Sequence, residues 1–512
     1  MADLPAGQTP LPDPLLSAKQ QRESLKSAGD SLYANRVKVY PKAVKGRARQ
    51  VKWAILAFCL FVYYTVPWLR WDRGPGQPDQ AILLDLDGQR GYIFGIEIWP
   101  QEIYYLTGVL ILAAVALFLV TSLFGRLWCG YTCPQTVWTD LFMAIERAIE
   151  GDRNARMRLD QAPMSGAKIG KKLLKHAVWL GISMATGGAW IMYYQDAPTV
   201  TREIFTGQAG SGTYFFFGLF TATTYLLAGW AREQVCTYMC PWPRFQAAML
   251  DEQTLTVTYQ KWRGETRGKH KAGDSWDGRG DCIDCKQCVA VCPTGIDIRD
   301  GIQLECINCG LCVDACNEIM DKVGRPRNLI TWDTLANQEA KAKGGAGHYK
   351  LFRARTFIYI AAFLLLSAVM VVGLFSRATT ELTVLRDRAP LYVGLSDGSI
   401  RNAYTLKIIN KQRAAQDVQV TLSGLKRAEL SARGQDDSAL SVENLALPPD
   451  SVSTIRLFVK VPKARLKDER TPITLTVHNR ATDEHVQIDS LFIGPHDIKG
   501  QHHDESSDDD AN

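Results

Sequence analysis

The sequence predicts a multi-domain membrane protein with a five-span α-helical part, a short cysteine-rich segment and a C-terminal all-β sandwich. Three observations predict it. Five apolar stretches have about the length that a helix needs to cross a ~30 Å hydrocarbon core. Twelve of the 13 cysteines fall into close groups, the last ending at Cys316. After Glu381 the chain turns to short β-rich runs separated by turn residues.

The spans run approximately Val51–Leu69, Tyr104–Phe124, Ala177–Tyr194, Thr213–Trp230 and Thr356–Phe375. Gly181, Gly187 and Gly188 dilute the third, and glycines in a span favour close helix packing. The first is no cleaved signal peptide. Fifty residues precede it, and Arg70-Trp71-Asp72-Arg73 follows where small residues would mark a cleavage site. Cys59, inside this run, reads as a small buried hydrophobe.

A mean hydropathy of −0.11 hides these spans by averaging unlike segments. The net charge of +6 comes without a basic stripe carrying interleaved aromatics, which argues against a nucleic-acid partner. The positive charge lies instead in loops flanking spans. Seven Lys/Arg fall in 35–52 and eight in 125–172, against three in 70–103 and one in 195–212. Positive loops stay cytoplasmic. That places the N-terminus, 125–172 and 231–355 in the cytoplasm of a bacterial inner membrane, and everything after Phe375 in the periplasm.

The expected domains follow. Residues 1–50 are a largely disordered cytoplasmic segment, and 51–250 hold spans one to four. Residues 251–350 are a cytoplasmic ferredoxin-type domain, 351–376 the fifth span, 377–495 a periplasmic immunoglobulin-like domain and 496–512 a disordered acidic tail. Strands are expected at Glu381–Arg386, Tyr404–Asn410, Asp417–Leu422, Val452–Val461, Ile473–His478 and Val486–Ile493. His502 and His503 belong to a solvated tail.

The cysteine-rich segment carries the chemistry. Cys282, Cys285, Cys288 and Cys292 follow C-x-x-C-x-x-C-x-x-x-C, with Pro293 next. Cys306, Cys309, Cys312 and Cys316 repeat that spacing, followed by Asn317. In such ferredoxin-like runs three thiolates hold one 4Fe–4S cluster and the fourth reaches across to the other. Cys282, Cys285, Cys288 and Cys316 are therefore assigned to one cluster, and Cys292, Cys306, Cys309 and Cys312 to a second. Zinc sites would place a longer insert between two C-x-x-C pairs. Gly295 and Gly310 suit tight loops whose amides bond cluster sulfur.

Two further motifs end spans two and four: Trp128-Cys129-Gly130-Tyr131-Thr132-Cys133-Pro134 and Val235-Cys236-Thr237-Tyr238-Met239-Cys240-Pro241. They read as two copies of one C-x-x-x-C-P element. Proline starts a helix well, which puts Cys133 and Cys240 near helix N-caps. The first of these helices has Val137, Trp138, Leu141, Phe142 and Ile145 on one face, as an interfacial helix would. A thiol at a helix N-terminus beside Arg126 or Arg244 should be acidified. Cys129, Cys133, Cys236 and Cys240 then serve as a soft-metal or redox-thiol site, as ligands of a further cluster, or as buried structural cysteines. Thiolates, with or without the Met239 thioether, suit copper(I). His176 is either a further ligand or a snorkelling polar cap.

This combination resembles the FixG/CcoG (RdxA) family, polyferredoxin-type membrane proteins that are accessory to assembly of cbb3-type cytochrome c oxidase. The resemblance covers nearly the whole chain. It includes Val39-Tyr40-Pro41-Lys42, Trp99-Pro100-Gln101, both C-x-x-x-C-P motifs, the double cluster segment and the β-rich C-terminus. It implies reduction of copper(II) to copper(I) for the oxidase, at Cys129, Cys133, Cys236 and Cys240. The implied partners are a cytoplasmic electron donor, a copper chaperone or copper-exporting ATPase, and the oxidase or its assembly factors. No G-x-G-x-x-G follows a strand, so NAD(P)H or flavin would sit on the donor. The rival readings are a quinol-linked electron-transfer subunit of an anaerobic reductase and a non-enzymatic redox-sensing scaffold.

Overall fold

A computed structural model describes residues 38–496 apart from 75, 272, 274, 435–437 and 467. The readings of the extreme N-terminus and of the acidic tail with His502 and His503 lie outside the described residues. The chain divides into two units at Met370/Val371.

In the first unit the membrane part is built from α1 (Arg47–Thr65), α2 (Tyr104–Phe124), α3 (Pro134–Glu150), α4 (Gly166–Ile191) and α5 (Ser211–Thr224). A π-helical stretch, Tyr225–Ala231, continues α5. After the short α6 (Trp242–Met249), the cysteine-rich segment forms α7 (Gln287–Val291) and α8 (Leu311–Lys322), and α9 (Ala354–Phe375) carries the chain across the division between the units.

Among the described residues, four helical stretches are long and apolar enough to cross a membrane: Arg47–Trp68, Pro100–Phe124, Ser211–Ala231 and Ala354–Phe375. The expected third span is not among these four. Ala177–Tyr194 lies mostly within α4, whose lysines and glycines leave it short of a self-sufficient span. Packing supplies what composition lacks. α4 runs antiparallel to α5 and its π-helical extension, with Gly187 against Thr221, Trp190 against Phe220 at 5.5 Å and Gln195 bonded to Thr213 at 3.2 Å. A Cβ on Gly187 would lie 2.8 Å from Thr221 Oγ1, so the approach requires glycine.

α3 is more enclosed than an interfacial helix would be. Val137 and Phe142 are buried on its apolar side, with Phe142 packed on Trp179 and Ala228. Its polar side is buried too. Asp140 accepts from Arg49 Nη1 at 2.9 Å through both oxygens, and Lys52 Nζ stands 3.7 Å away. Glu146 meets Arg232 at 3.0 Å, Arg156 at 3.1 Å and Lys175 at 3.4 Å.

The N-terminus of α1 is capped from a distant element. Asp314 in α8 accepts from the amides of Ala48 and Arg49 at 3.2 and 2.8 Å. A side chain at Gly46 would strike the Asp314 carboxyl, which fixes glycine there. Asp314→Ala is expected to cost about 1 kcal/mol, the usual worth of a cap. A lower thermal midpoint in detergent would register it, and an unchanged midpoint would show the cap to be idle.

The loop between the first two spans holds a sheet that the sequence reading did not anticipate: β1 (Ile82–Asp85), β2 (Arg90–Ile93) and β3 (Ile96–Ile98), all antiparallel. Buried Arg73 ties it to the preceding loop by donating to the carbonyls of Pro78, Gln80, Ala81 and Phe94. A two-stranded ribbon, β4 (Thr256–Tyr259) with β5 (Ile330–Asp333), brackets the cysteine-rich segment.

The second unit is the expected sandwich. All six expected strands are present as β6 (Thr380–Arg386), β8 (Ser399–Asn410), β9 (Gln416–Ser423), β13 (Ser451–Pro462), β14 (Arg470–Asn479) and β15 (Glu484–Ile493), and they are joined by the shorter β7 (Val393–Gly394), β10 (Glu429–Arg433), β11 (Ala439–Leu440) and β12 (Leu445–Leu447). One sheet runs β11-β10-β13-β8-β6 with β7 on β8, the other β12-β9-β14-β15. Alternating inward residues such as Tyr404, Leu406, Ile408, Leu457, Val459, Leu475 and Val477 form the core between them.

Candidate metal centre

The two cysteine loops repeat one backbone conformation. Two residues after the first cysteine of each loop, Asp284 and Asn308 take φ of 54° and 60°; directly after the second, Lys286 and Gly310 take 56° and 71°. Left-handed backbone is uncommon outside glycine, so its recurrence at matching positions reflects a demand of the loop itself. At Gly310 the demand is also steric, because a Cβ would lie 2.1 Å from the Trp332 ring. The curl turns amides onto sulfur. The N–H groups of Asn308, Leu311 and Ile330 bond Cys306, Cys309 and Cys316. Arg299 braces the first loop, meeting Asp284 and Asp297 at 2.6 Å each.

The thiols fall into two sets. Burial pushes Cys316 up to about 12, with Cys285 and Cys282 adding to it, and Cys288 is raised by burial with Cys316 and Cys285 contributing. Burial pushes Cys306 up to about 12, with Cys309 and Cys292 adding to it. Cys312 is raised well above the usual thiol range by burial, then by Cys309, Cys306 and Cys292, with Cys288 of the first set also within reach. A cavity opens between members of the second set, lined by Cys292, Cys306, Cys309 and Cys312 together with Cys288. Amide-bonded thiols around a hollow fit a 4Fe–4S cluster, whose iron would supply the positive charge that keeps such buried sulfurs deprotonated.

Asn317 departs from the usual proline for a local reason. α8 continues through it to Lys322, where a proline would interrupt the helix. Its side chain accepts from the Asn328 amide at 2.7 Å, tying α8 to the strand that follows.

The two C-x-x-x-C-P motifs meet. The charges bearing on Cys129 include Cys133, Cys236 and Cys240, and those on Cys236 include Cys133 and Cys240. All four sequence-assigned thiols thus belong to one neighbourhood, although 107 residues separate Cys129 from Cys236. Several side chains hold the motifs together. Arg126 Nη2 donates to Pro243 O at 2.6 Å, and Gln135 Nε2 donates to Leu227 O at 2.8 Å and Arg232 O at 3.1 Å. The Cys129 thiol donates to Gln246 Oε1 at 3.1 Å, and Trp242 stacks on Phe118 at 6.0 Å.

The copies are not identical. Cys133 is the N-cap of α3 as expected, but the second motif lies on π-helical backbone, Val235–Met239, and α6 is capped by Pro241, one residue beyond Cys240. The other two thiols, Cys129 and Cys236, lie deeper in the motifs. Burial is the largest influence and pushes both up to about 12, with Cys133 adding at each. Met239 is exposed. His176 bonds Tyr225 through Nδ1 at 2.8 Å and meets Trp179 edge-on at 5.3 Å.

The four-thiol neighbourhood abuts the second cluster loop. Cys129 packs in one apolar cluster with Ile307, Cys309 and Leu311. A Cβ on Gly130 would fall 2.5 Å from Ile307 O and 3.2 Å from Cys309 Cα and N. Tyr131 Oη donates to Cys309 O at 3.1 Å, and buried Arg126 donates to Leu304 O and, at 3.3 Å, Cys306 O. Asn308 Nδ2 reaches Phe124 O at the end of α2 at 3.1 Å. Sequence reasoning missed Gln135, Gln246, Tyr131 and Asn308 because uncharged side chains at no special spacing carry no signal.

Membrane helices joined to cysteine loops of this kind define a membrane-embedded iron–sulfur electron-transfer protein. Residues 231–335 match a family described as 4Fe-4S dicluster domain, 106–150 one described as 4Fe-4S binding domain, and 370–495 one described as IG-like fold at C-terminal of FixG. The chain is 46% identical over 481 residues to nitrogen fixation protein FixG of Rhizobium meliloti, covering 88% of this chain and 92% of that protein. Protein RdxB of Cereibacter sphaeroides is 48% identical over 470 residues (91% and 98%), and protein RdxA of the same organism 46% over 437 residues (85% and 91%). The chain belongs to the FixG/RdxA family.

Proposed function

We propose that this protein reduces copper(II) to copper(I) at Cys129, Cys133, Cys236 and Cys240, for delivery to a cbb3-type cytochrome c oxidase under assembly. The observation that carries the reading is the convergence of the four thiols into one neighbourhood packed on the Ile307–Cys309 loop. Cys282, Cys285, Cys288 and Cys316 would hold one 4Fe–4S cluster, and Cys292, Cys306, Cys309 and Cys312 the other. Bound clusters supply one-electron carriers at these two places. The motif cysteines bind the substrate ion, and thiolate ligation favours its copper(I) state, which raises the driving force for taking up one electron. Each copper(II) takes one electron, supplied by a cytoplasmic reductant. Gly130 keeps the motif backbone in contact with the cluster loop, and Gln246 and Arg126 hold the two motifs in register. A copper chaperone or copper-exporting ATPase would receive the product.

The proposed orientation follows the basic loops and counts α4 as the fifth crossing, on the strength of its pairing with α5. It puts the N-terminus and cysteine loops in the cytoplasm of a bacterial inner membrane and the sandwich in the periplasm.

One observation favours a second reading. The match of 106–150 to a 4Fe-4S binding family, together with four converging thiols, fits a third cluster on the motif cysteines. The test is anaerobic reduction of the detergent-purified protein, addition of copper(II), and capture of copper(I) by a specific chelator. Copper(I) formed in step with reoxidation, and lost when the four motif cysteines become serine, is the expected result. Clusters that stay reduced after copper(II) is added would overturn the reading. Iron analysis separates the alternatives, at about eight atoms per chain for two clusters and about twelve for three.

A further inference from the structure

The second unit carries a group of metal-ligating side chains outside the cysteine chemistry. At the end of the β14–β15 hairpin, His478 and His485 face each other as register partners and project from the same side of the sheet. Their rings stack at 4.0 Å with planes 5° apart. Both Nε2 atoms turn to one carboxylate oxygen, Asp483 Oδ1, at 3.0 and 3.7 Å. Asp483 adopts a φ of 56° in the turn, a left-handed conformation that brings its carboxylate back over the two rings.

An ion pair alone accounts poorly for this arrangement. Asp483 is 88% exposed, and an exposed pair is worth at most about 1 kcal/mol. One carboxylate also balances only one imidazolium, so two charged rings stacked at this distance would leave a repulsion uncompensated. Two imidazoles and a carboxylate whose donor atoms all lie within 4.8 Å of one another are instead a ligand set for a divalent first-row ion. Nitrogen with oxygen donors suits copper(II), nickel(II) and zinc(II), and copper(II) stands highest in affinity.

We infer that His478, Asp483 and His485 form a surface binding site for a divalent transition-metal ion, copper(II) foremost, on the C-terminal domain. Three ligands leave coordination positions to water, and the site sits on an exposed turn, so the ion exchanges readily. The inference stands apart from the copper reading of the thiols, because the two sites share no residue and this one involves no electron transfer.

The test adds one equivalent of copper(II) to the full-length protein in detergent and records its paramagnetic resonance with nitrogen couplings. Copper reduced at thiols is silent in this measurement, so only copper(II) is read. A signal coupled to two imidazole nitrogens is expected, and it should disappear in the His478→Gln/His485→Gln variant. Asp483→Asn should keep both nitrogens while weakening binding by about tenfold. A two-nitrogen signal that survives the double substitution would overturn the inference, as would its absence from a protein whose four motif cysteines are changed to serine, where no thiol competes for the copper. Unchanged β-sheet circular dichroism in the variants guards against misfolding as the cause of a lost signal.

Discussion

Glu146→Ala is expected to destabilise the membrane part by about 3–5 kcal/mol, because it strands buried Arg156 and Arg232 without their counter-charge, while Lys175 keeps Glu150 at 2.9 Å. Glu146 is 2% exposed and stands among Arg156, Lys175 and Arg232, themselves 1, 4 and 6% exposed. The effect should reach the thiol site. Arg232 has a φ of 47°, donates to Gly229 O at 2.7 Å and lies four residues before Cys236, so its loss of anchor frees the second motif. Burial alone would raise the Glu146 carboxyl, but Arg232, Lys175 and Arg156 overcome it and hold it at about 2. A depressed carboxylate stabilises above its unfolded value near 4.5 and loses that contribution as pH falls towards 2. Thermal midpoints across that window should therefore fall more steeply in the unsubstituted protein than in Glu146→Gln. Parallel curves would mean that the ion cluster contributes no acid sensitivity.

Gly130→Val should slow copper(I) formation by about a hundredfold, the scale of loss when a reacting group is displaced by about an ångström. The atoms that a Cβ would meet are backbone atoms of Ile307 and Cys309, which cannot swing aside as a side-chain tip would. The motif must therefore lift from the cluster loop. All twelve cysteines of the motifs and loops remain, so on the proposed reading the visible absorption of reduced and oxidised clusters should persist while transfer to copper fails. Stopped-flow reoxidation of the pre-reduced protein by copper(II) measures this. An unaltered rate would show that electrons do not cross at this contact.

The chemistry of the candidate site was legible in the sequence because ligand spacing is local. Three cysteines within seven residues and a C-x-x-x-C-P after a span declare themselves without tertiary information. The sandwich was legible for a similar reason, since alternation marks each strand by itself. What escaped depends on partners distant in the chain. The basic residues Arg49, Lys52 and Arg156 read as ordinary positive loop charge, yet they are buried against Asp140 and Glu146. A sequence displays the sign of a charge but not whether its counter-charge lies within reach. Convergence of the two motifs was likewise hidden, because it rests on Arg126, Gln135 and Gln246 reaching across more than ninety residues. The sheet β1–β3 went unseen because its strands are only three or four residues long.

The close seam between α4 and α5 has a consequence for how the chain is made. Taken alone, α4 is too rich in lysine and glycine to partition into lipid, whereas α5 partitions readily. With Gly187 pressed on Thr221 the two form an antiparallel pair, and on the proposed orientation, in which α4 crosses the bilayer, residues 166–231 would enter it together as a hairpin. Synthesis must then run past α5 before α4 can settle. Only after that step does Cys236 come beside Cys129, so no nascent chain that ends before Cys240 presents the four thiols together.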